Sequence, residues 1–409
     1  MTPGYIQFIR ENAPFLATGA LLSFLSSFGQ TFFIAVFAGD IRTEFNLSHG
    51  DWGLLYMLGT GASAVAMVFA GGLAARFRVR SLGIIVAAML AAACFTMAYN
   101  TTTIILPFVI FALRFTGQGM MTHTAVVAMA RWFVATRGKA LAIAGLGYML
   151  AEATLPLTFV WLKTFASWRT LWICAAIFTL AMIPVLIRLL RLERTPQSVT
   201  QENASPGMGG HHWTRRDALR HPLFWALTPT IMFFPAFATA FWFHQVHFAD
   251  LKGYSHLALV SVFPIGTGVL AVSSIAYGWL IDRIGAKTIL PFYLLPLVAA
   301  FTLHWSADHL AWTALAVCLM GLAGGGQATV LMAIWSEFYG TRHIGSIKAA
   351  ATAVMVLGSA IGPGLSGWLI DIGVGFEQQM LGYAASFIVA ILVMLVPLKN
   401  ASKDLPTAP

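Results

Sequence analysis

The chain has 409 residues, of which 58% are hydrophobic and only 10% charged, and its mean hydropathy is +0.79. A soluble domain carries about 25% charged residues, so this chain has too few to cover a water-facing surface and reads as an integral membrane protein. Its apolar runs are continuous over whole spans, which excludes an outer-membrane β-barrel, whose strands alternate apolar and polar over about ten residues.

In chain order, runs long enough to cross a bilayer as helices fall at 14–38, 52–74, 82–99, 104–130, 140–162, 168–190, 222–246, 257–280, 288–306, 311–336, 349–370 and 379–397. The first follows Arg10 and Glu11 without a small-residue cleavage site and reads as a retained span, not a signal peptide. Most connections are short, so neighbouring spans form antiparallel hairpins. One is long and polar, 191–221, with basic residues near both ends. The expected fold is an all-α membrane protein with twelve transmembrane helices: a six-helix bundle over 1–190, a cytoplasmic linker loop, and a second six-helix bundle over 222–409 with a short cytoplasmic tail. Cys94, Cys174 and Cys318 lie inside apolar runs with no CxxC or zinc spacing, so no disulfide, metal or cofactor is expected.

The basic residues orient the chain. With the N-terminus cytoplasmic, that side receives nineteen of the 24 Lys and Arg, the other side receives Arg42, Lys163, Arg169 and Lys252, and Arg114 lies within a span. This positive-inside bias puts both termini and the long loop in the cytoplasm. It also accounts for the net charge of +9 without a nucleic-acid partner.

Two cytoplasmic turns share an outline. "GGLAARFRVR" (Gly71–Arg80) follows the second span, and "GWLIDRIGAK" (Gly278–Lys287) follows the eighth, 207 residues later. An internal parallel repeat of two six-span halves is expected. Helix ends facing a turn carry unpaired carbonyls or amides and partial charges. Asp282 is placed to accept from helix N-terminal amides, and Arg283, Lys287, Arg76 and Arg80 to hold carbonyls or a carboxylate of another helix, as a latch on one state. The alternative reading is topology-setting charge in a tight turn.

Polar groups at membrane depth follow in order. Gln30 lies in span 1 ("SSFGQTFF"). In span 4, Arg114 is followed one turn later by Gln118, and then by His123. Glu152 sits in span 5 at the depth of Arg114, and an unpaired charge there costs from about 2.5 kcal/mol upward, so a buried Arg114–Glu152 pair is expected. That pair either couples protons through Glu152, with Arg114 as modulator or substrate-anion anchor, or is structural. At the end of span 7, "FWFHQVHF" puts His244 and His247 three apart on one face. Trp242, His244 and Gln245 form either a substrate or proton site or an interfacial aromatic belt. Gln327 in span 10 joins the candidates, as ligand or as helix–helix hydrogen bond.

These features together resemble the major facilitator superfamily of secondary transporters. "GWLIDRIGAK" fits the family's loop signature at every fixed position, whereas "GGLAARFRVR" has Ala75 where the Asp belongs. "RFTGQG" (Arg114–Gly119) resembles the family's span 4 signature with the glycine spacing one residue short, and "ARWFVATRGKALAIAGLG" (130–147) looks like organic-anion and monocarboxylate porters. The resemblance implies two bundles around a mid-depth cavity, and an inner-membrane protein acting as a monomer with a small-molecule substrate and the bilayer as its partners. "GYMLAEATLP" lacks the span 5 Gly-Pro pattern of the antiporters, which favours uptake or facilitated movement over efflux, with proton symport through Glu152 where transport is coupled. A carboxylate and a flat heterocycle such as a riboflavin-like vitamin both suit the residues. The alternative is a copper importer of the same architecture using His244, His247 and Met232. An enzyme is not expected, because no loop is long enough to fold alone.

Overall fold

Several spans begin or end on local chemistry. Ser48 and Asp51 form a capping box that opens the second span, and Ser167 accepts from the Thr170 amide to open the sixth. Pro222 begins the seventh, where its missing amide costs nothing. Gly285 and Gly340, at φ 79° and 73°, end the eighth and tenth in a conformation that side chains resist. The computed structural model describes residues 4–133, 135–191 and 205–405. Among them every regular element is helical and no strand occurs.

Among the described residues ten helices are long and apolar enough to cross a membrane: His49–Ala70, Val79–Tyr99, Thr103–Trp132, Arg137–Leu162, Trp168–Leu189, Pro222–Phe243, His256–Ile284, Leu310–Tyr339, Ile344–Asp371 and Phe376–Asp404. They are spans 2–8 and 10–12. Span 1 is a bent pair, Ile6–Gly29 and Thr31–Phe45, turning by 47°. Span 9 is shorter than expected: its apolar helix covers only Leu295–Ser306, after a non-helical stretch that begins beside Pro291. Proline at 291 and 296 removes two amide donors and confines the helix to the far part of the run.

The chain divides into two units, Met1–Val199 and Thr200–Pro409. In the first, span 1 packs on span 5, span 2 on span 4, and span 3 on span 6; in the second, span 7 packs on span 11, span 8 on span 10, and span 9 on span 12. The same pairing recurs half a chain later. Glycines carry several of these crossings. A Cβ on Gly59 would lie 2.7 Å from the Pro107 carbonyl, and one on Gly266, 207 residues on, 2.5 Å from Val317. One on Gly147 would lie 1.9 Å from the Ala20 carbonyl, and one on Gly362 2.1 Å from the Ala236 carbonyl. Small residues that let backbones touch are the usual means of packing helices in lipid, where burial of apolar surface drives nothing.

Part of the expected linker, 192–204, lies outside the described residues. The part from 205 to 221 belongs structurally to the second unit. Ser205 pairs through its backbone with Thr341, Gly207 packs on the backbone of Phe338–Gly340, and Trp213 stands edge-on to Tyr339.

Candidate functional site

The centre of the first unit is built from two backbone distortions that meet. Span 1 leaves the helix at Gln30 (φ −87°, ψ 154°), after the 3₁₀ turn Ser26–Gly29. Span 4 widens to a π-helix over Arg114–Met121. Gly29 and Gly117 bring them into contact: a Cβ on Gly29 would lie 2.1 Å from the Leu113 carbonyl, and one on Gly117 2.6 Å from the Gly29 Cα. Because Phe33 and Ile34 both donate to Gln30, the Gly29 carbonyl loses its helical partner. Arg114 Nη1 donates to it at 3.1 Å. A backbone acceptor released inside the membrane must find a donor, and the guanidinium supplies one.

Arg114 is 1% exposed. Its guanidinium lies 5.4 Å from the Tyr56 ring centroid, and Tyr56 shares a 2.5 Å hydrogen bond with Thr31, just past the break. Arg114 Nε is buried with no hydrogen-bond partner. The expected ion pair with Glu152 does not form; this is a correction to the sequence reading. The freed Gly29 carbonyl, which no residue pattern announces, takes the guanidinium instead. Glu152 accepts a long 3.5 Å bond from the hydroxyl of Tyr148, one turn earlier in span 5. Tyr148 is an electrostatic neighbour of both Glu152 and Arg114, and its ring meets Phe32 edge-on. Gln30 is 8% exposed and Gln118 half-buried. Neither side-chain amide is hydrogen-bonded among the described residues.

His123, also expected at the site, engages the Gly71 carbonyl at 2.9 Å, and Arg131 donates to the Ala74 carbonyl at 3.1 Å. Two span 4 side chains thus satisfy the carbonyls at the end of span 2, in the turn that lacks the signature Asp. In the second unit, Arg283 stacks 3.9 Å over Trp279, and Asp282 is exposed at the end of span 8. Within their own units the side chains of Arg76, Arg80, Asp282 and Lys287 form no hydrogen bond or ion pair among the described residues.

The span 7 candidates gather at a second break. The helix ends at His244 (φ −95°, ψ 21°) and resumes at Gln245. The buried His244 ring pairs with the Pro363 carbonyl of span 11 at 3.1 Å. His244 and His247 both face Phe376, although the helix they were expected to share is broken at the first of them. Trp242 is half-buried against Phe263, and Gln245 is fully buried. Gln327 accepts from the Tyr293 hydroxyl at 2.8 Å. The structure therefore brings Gln30, Arg114 and Gln118 to the first break, with Glu152 bonded to Tyr148, and Trp242, His244 and Gln245 to the second. Tyr56, Tyr148 and Tyr293 were missed from sequence. The signal for Tyr148 was its position four residues before Glu152, on the same helix face. Among the described residues no group of three His, Cys, Asp or Glu side chains is placed to hold a metal ion.

Known proteins give this architecture a class. No curated protein sequence matches the chain. Two solved structures of a bacterial homologue of the human lysosomal transporter Spinster, both inward-facing, one unoccupied and one occupied, are similar at a TM-score of 0.73 and 15% identity. The alignment covers 100% of this chain and 100% of the unoccupied structure, and 98% and 99% for the occupied one. At that identity the likeness concerns the fold. The sequence model of the Major Facilitator Superfamily matches residues 19–308 and 259–408. The chain belongs to the Major Facilitator Superfamily: it is an all-α, multi-pass membrane protein of a transporter family and not an enzyme.

Proposed function

We propose that the protein is a secondary transporter that moves a small organic anion by alternating access, in the uptake direction and with proton symport, as a monomer in the inner membrane with both termini cytoplasmic. One observation carries the anion: Arg114 is fully buried with no carboxylate partner among the described residues, and its Nε lacks a hydrogen bond. An uncompensated cation at that depth is costly, and a substrate carboxylate supplies the missing charge and acceptors with the bidentate geometry a guanidinium favours. Gln30 and Gln118 flank it with unengaged amides. Glu152 is the proton carrier in this reading, and Tyr148 links it to the anion site. A neutral heterocycle would leave the cation as uncompensated as it is without substrate. Coarser support comes from the family and from the inward-facing Spinster homologue, a transporter homologue solved in unoccupied and occupied forms.

The test is counterflow in proteoliposomes with labelled mono- and dicarboxylates beside riboflavin. We expect exchange of a carboxylate, its loss in Arg114→Gln with the protein still folded, and retention of exchange but loss of gradient-driven accumulation in Glu152→Gln. Exchange of riboflavin but of no carboxylate, or wild-type carboxylate exchange by Arg114→Gln, would remove the anion reading.

A further inference from the structure

The ends of the spans opposite the Gly71–Arg80 turn carry two charged clusters that the site does not use. In the first unit, Arg169, at the start of span 6, binds Glu44 at the end of span 1 at 2.5 Å and donates to the Ala98 carbonyl at the end of span 3 at 2.5 Å. Its other donation, to the Asn100 carbonyl, is 2.7 Å. Trp168 adds a 2.9 Å bond to Glu44, and Lys163 pairs with Asp40, also on the far segment of span 1. In the second unit, Lys252, just past the far segment of span 7, binds Glu377 at the start of span 12 at 2.6 Å and donates to the Trp305 carbonyl at the end of span 9 at 2.9 Å.

These clusters are one device built twice. Lys252 lies 208 residues after Glu44, Glu377 lies 208 after Arg169, and Trp305 lies 207 after Ala98. The offset is, to within one residue, that of the repeated turn and of the Gly59 and Gly266 crossings. The backbone acceptor is kept, while acid and base have changed places. In both units the cation also serves the carbonyl. In the first, Arg169 stands on spans 3 and 6, which pack together, and holds the segment beyond the break at Gln30 through Glu44, while Lys163 holds it through Asp40 and through the Val36 carbonyl, to which it donates at 3.2 Å. In the second, the cation travels with the segment beyond the break at His244, so one ammonium carries both bonds.

We propose that these clusters are clasps that hold the far segments of the two broken spans, and that they release by different chemistry. The end of the span 1 segment, 38–45, is freed when its carboxylates are neutralised, with Arg169 still seated on span 3 and Lys163 still on the Val36 carbonyl. The span 7 segment is not freed by neutralising Glu377, because Lys252 keeps the Trp305 carbonyl; it is freed when the ammonium is removed. The inference goes beyond the transport reading and does not depend on any substrate.

Amide hydrogen exchange of the full-length protein in lipid nanodiscs tests it, reading peptides that cover 38–45 and 245–251. Asp40→Asn with Glu44→Gln should speed exchange of 38–45 by about three- to tenfold, the scale expected for losing two half-exposed pairs. Lys252→Met should do the same for 245–251, and Glu377→Gln should leave that peptide close to wild type. Wild-type protein supplies a second measurement that no folding failure can remove. Lys163 and Arg169 are 21% and 25% exposed and Lys252 only 8%, so raising salt to about 1 M, which shortens the screening length to about 3 Å, should speed exchange of 38–45 more than of 245–251. The proposal is overturned if Glu377→Gln loosens 245–251 as much as Lys252→Met, if the carboxylate variant leaves 38–45 unchanged, or if salt acts equally on the two peptides.

Discussion

Arg114 and Glu152 behave as separate residues, and this changes what their variants should do. Breaking a buried ion pair strands a charge and costs about 3–5 kcal/mol, and removing both members recovers it. Here no pair exists, so that recovery is not expected. Arg114→Met should abolish anion exchange and lower stability by about 1–3 kcal/mol, because the Gly29 carbonyl loses its donor, and adding Glu152→Gln should not restore it. Thermal unfolding of the four proteins decides this, and a double variant restored above either single would reinstate the pair. His304 presents the opposite case. It is fully buried, both ring nitrogens lack hydrogen-bond partners among the described residues, and it stacks on Phe241 at 4.3 Å and meets Phe248 edge-on. An orphaned buried polar group costs about 1–3 kcal/mol, so His304→Phe should raise the unfolding temperature; a large fall would mean that the imidazole has a partner in another state. His221 gives a pH dependence outside the spans. It caps span 7 by accepting from the Leu223 amide at 3.3 Å, and burial holds its imidazole below its ordinary value, against the opposing pull of Asp404. The unfolded chain therefore takes up the proton first as pH falls below about 6.5. Stability should decline there, and His221→Asn, which keeps a cap without titrating, should flatten the decline.

Among the elements, the break in span 1 and the π-helix in span 4 depend on two glycines. A methyl group on Gly29 or Gly117 meets backbone, which has no rotamer by which to yield, so Gly29→Ala or Gly117→Ala should separate spans 1 and 4 and release Arg114 from its carbonyl. We expect a loss of several kcal/mol, within the range of overpacking and broken buried contacts, seen as a lowered unfolding temperature together with lost exchange. Gly61 is the internal control. It lies in span 2, and a Cβ there would meet nothing within 4 Å, so Gly61→Ala should stabilise by about 0.5–1 kcal/mol through helix propensity alone.

For the whole molecule, the sequence carried the spans and the repeat well, because each is a property of many residues at once. Hydropathy placed eleven of the crossings as membrane-length helices or a bent pair, and the Gly71 and Gly278 turns announced the two halves. What it did not carry were events that depend on a partner. Nothing in "SSFGQTFF" separates a broken helix from a whole one, since the break exists only where Gly29 meets Gly117. Pro14, the obvious breaker in span 1, sits inside an unbroken helix. Pro291 and Pro296 did signal the short ninth helix, but the apolar run around them masked it. Arg114 was legible as a buried charge but its acceptor was not, because a carbonyl has no letter in the sequence. Lys163, Arg169 and Lys252 were legible only as the minority charges of one side.

The clasps bear on how such a chain came to have two halves. A duplication copies backbone and side chains together, yet only the backbone acceptor survives in both copies, as the carbonyls of Ala98 and Trp305. Exchanging acid for base one substitution at a time passes through two like charges face to face, which repel where the original pair attracted. A selected lineage does not cross that step easily. What the two halves share at this place is the helix-end carbonyl and the need for a cation to meet it; the arrangement of acid and base around that cation is free to differ.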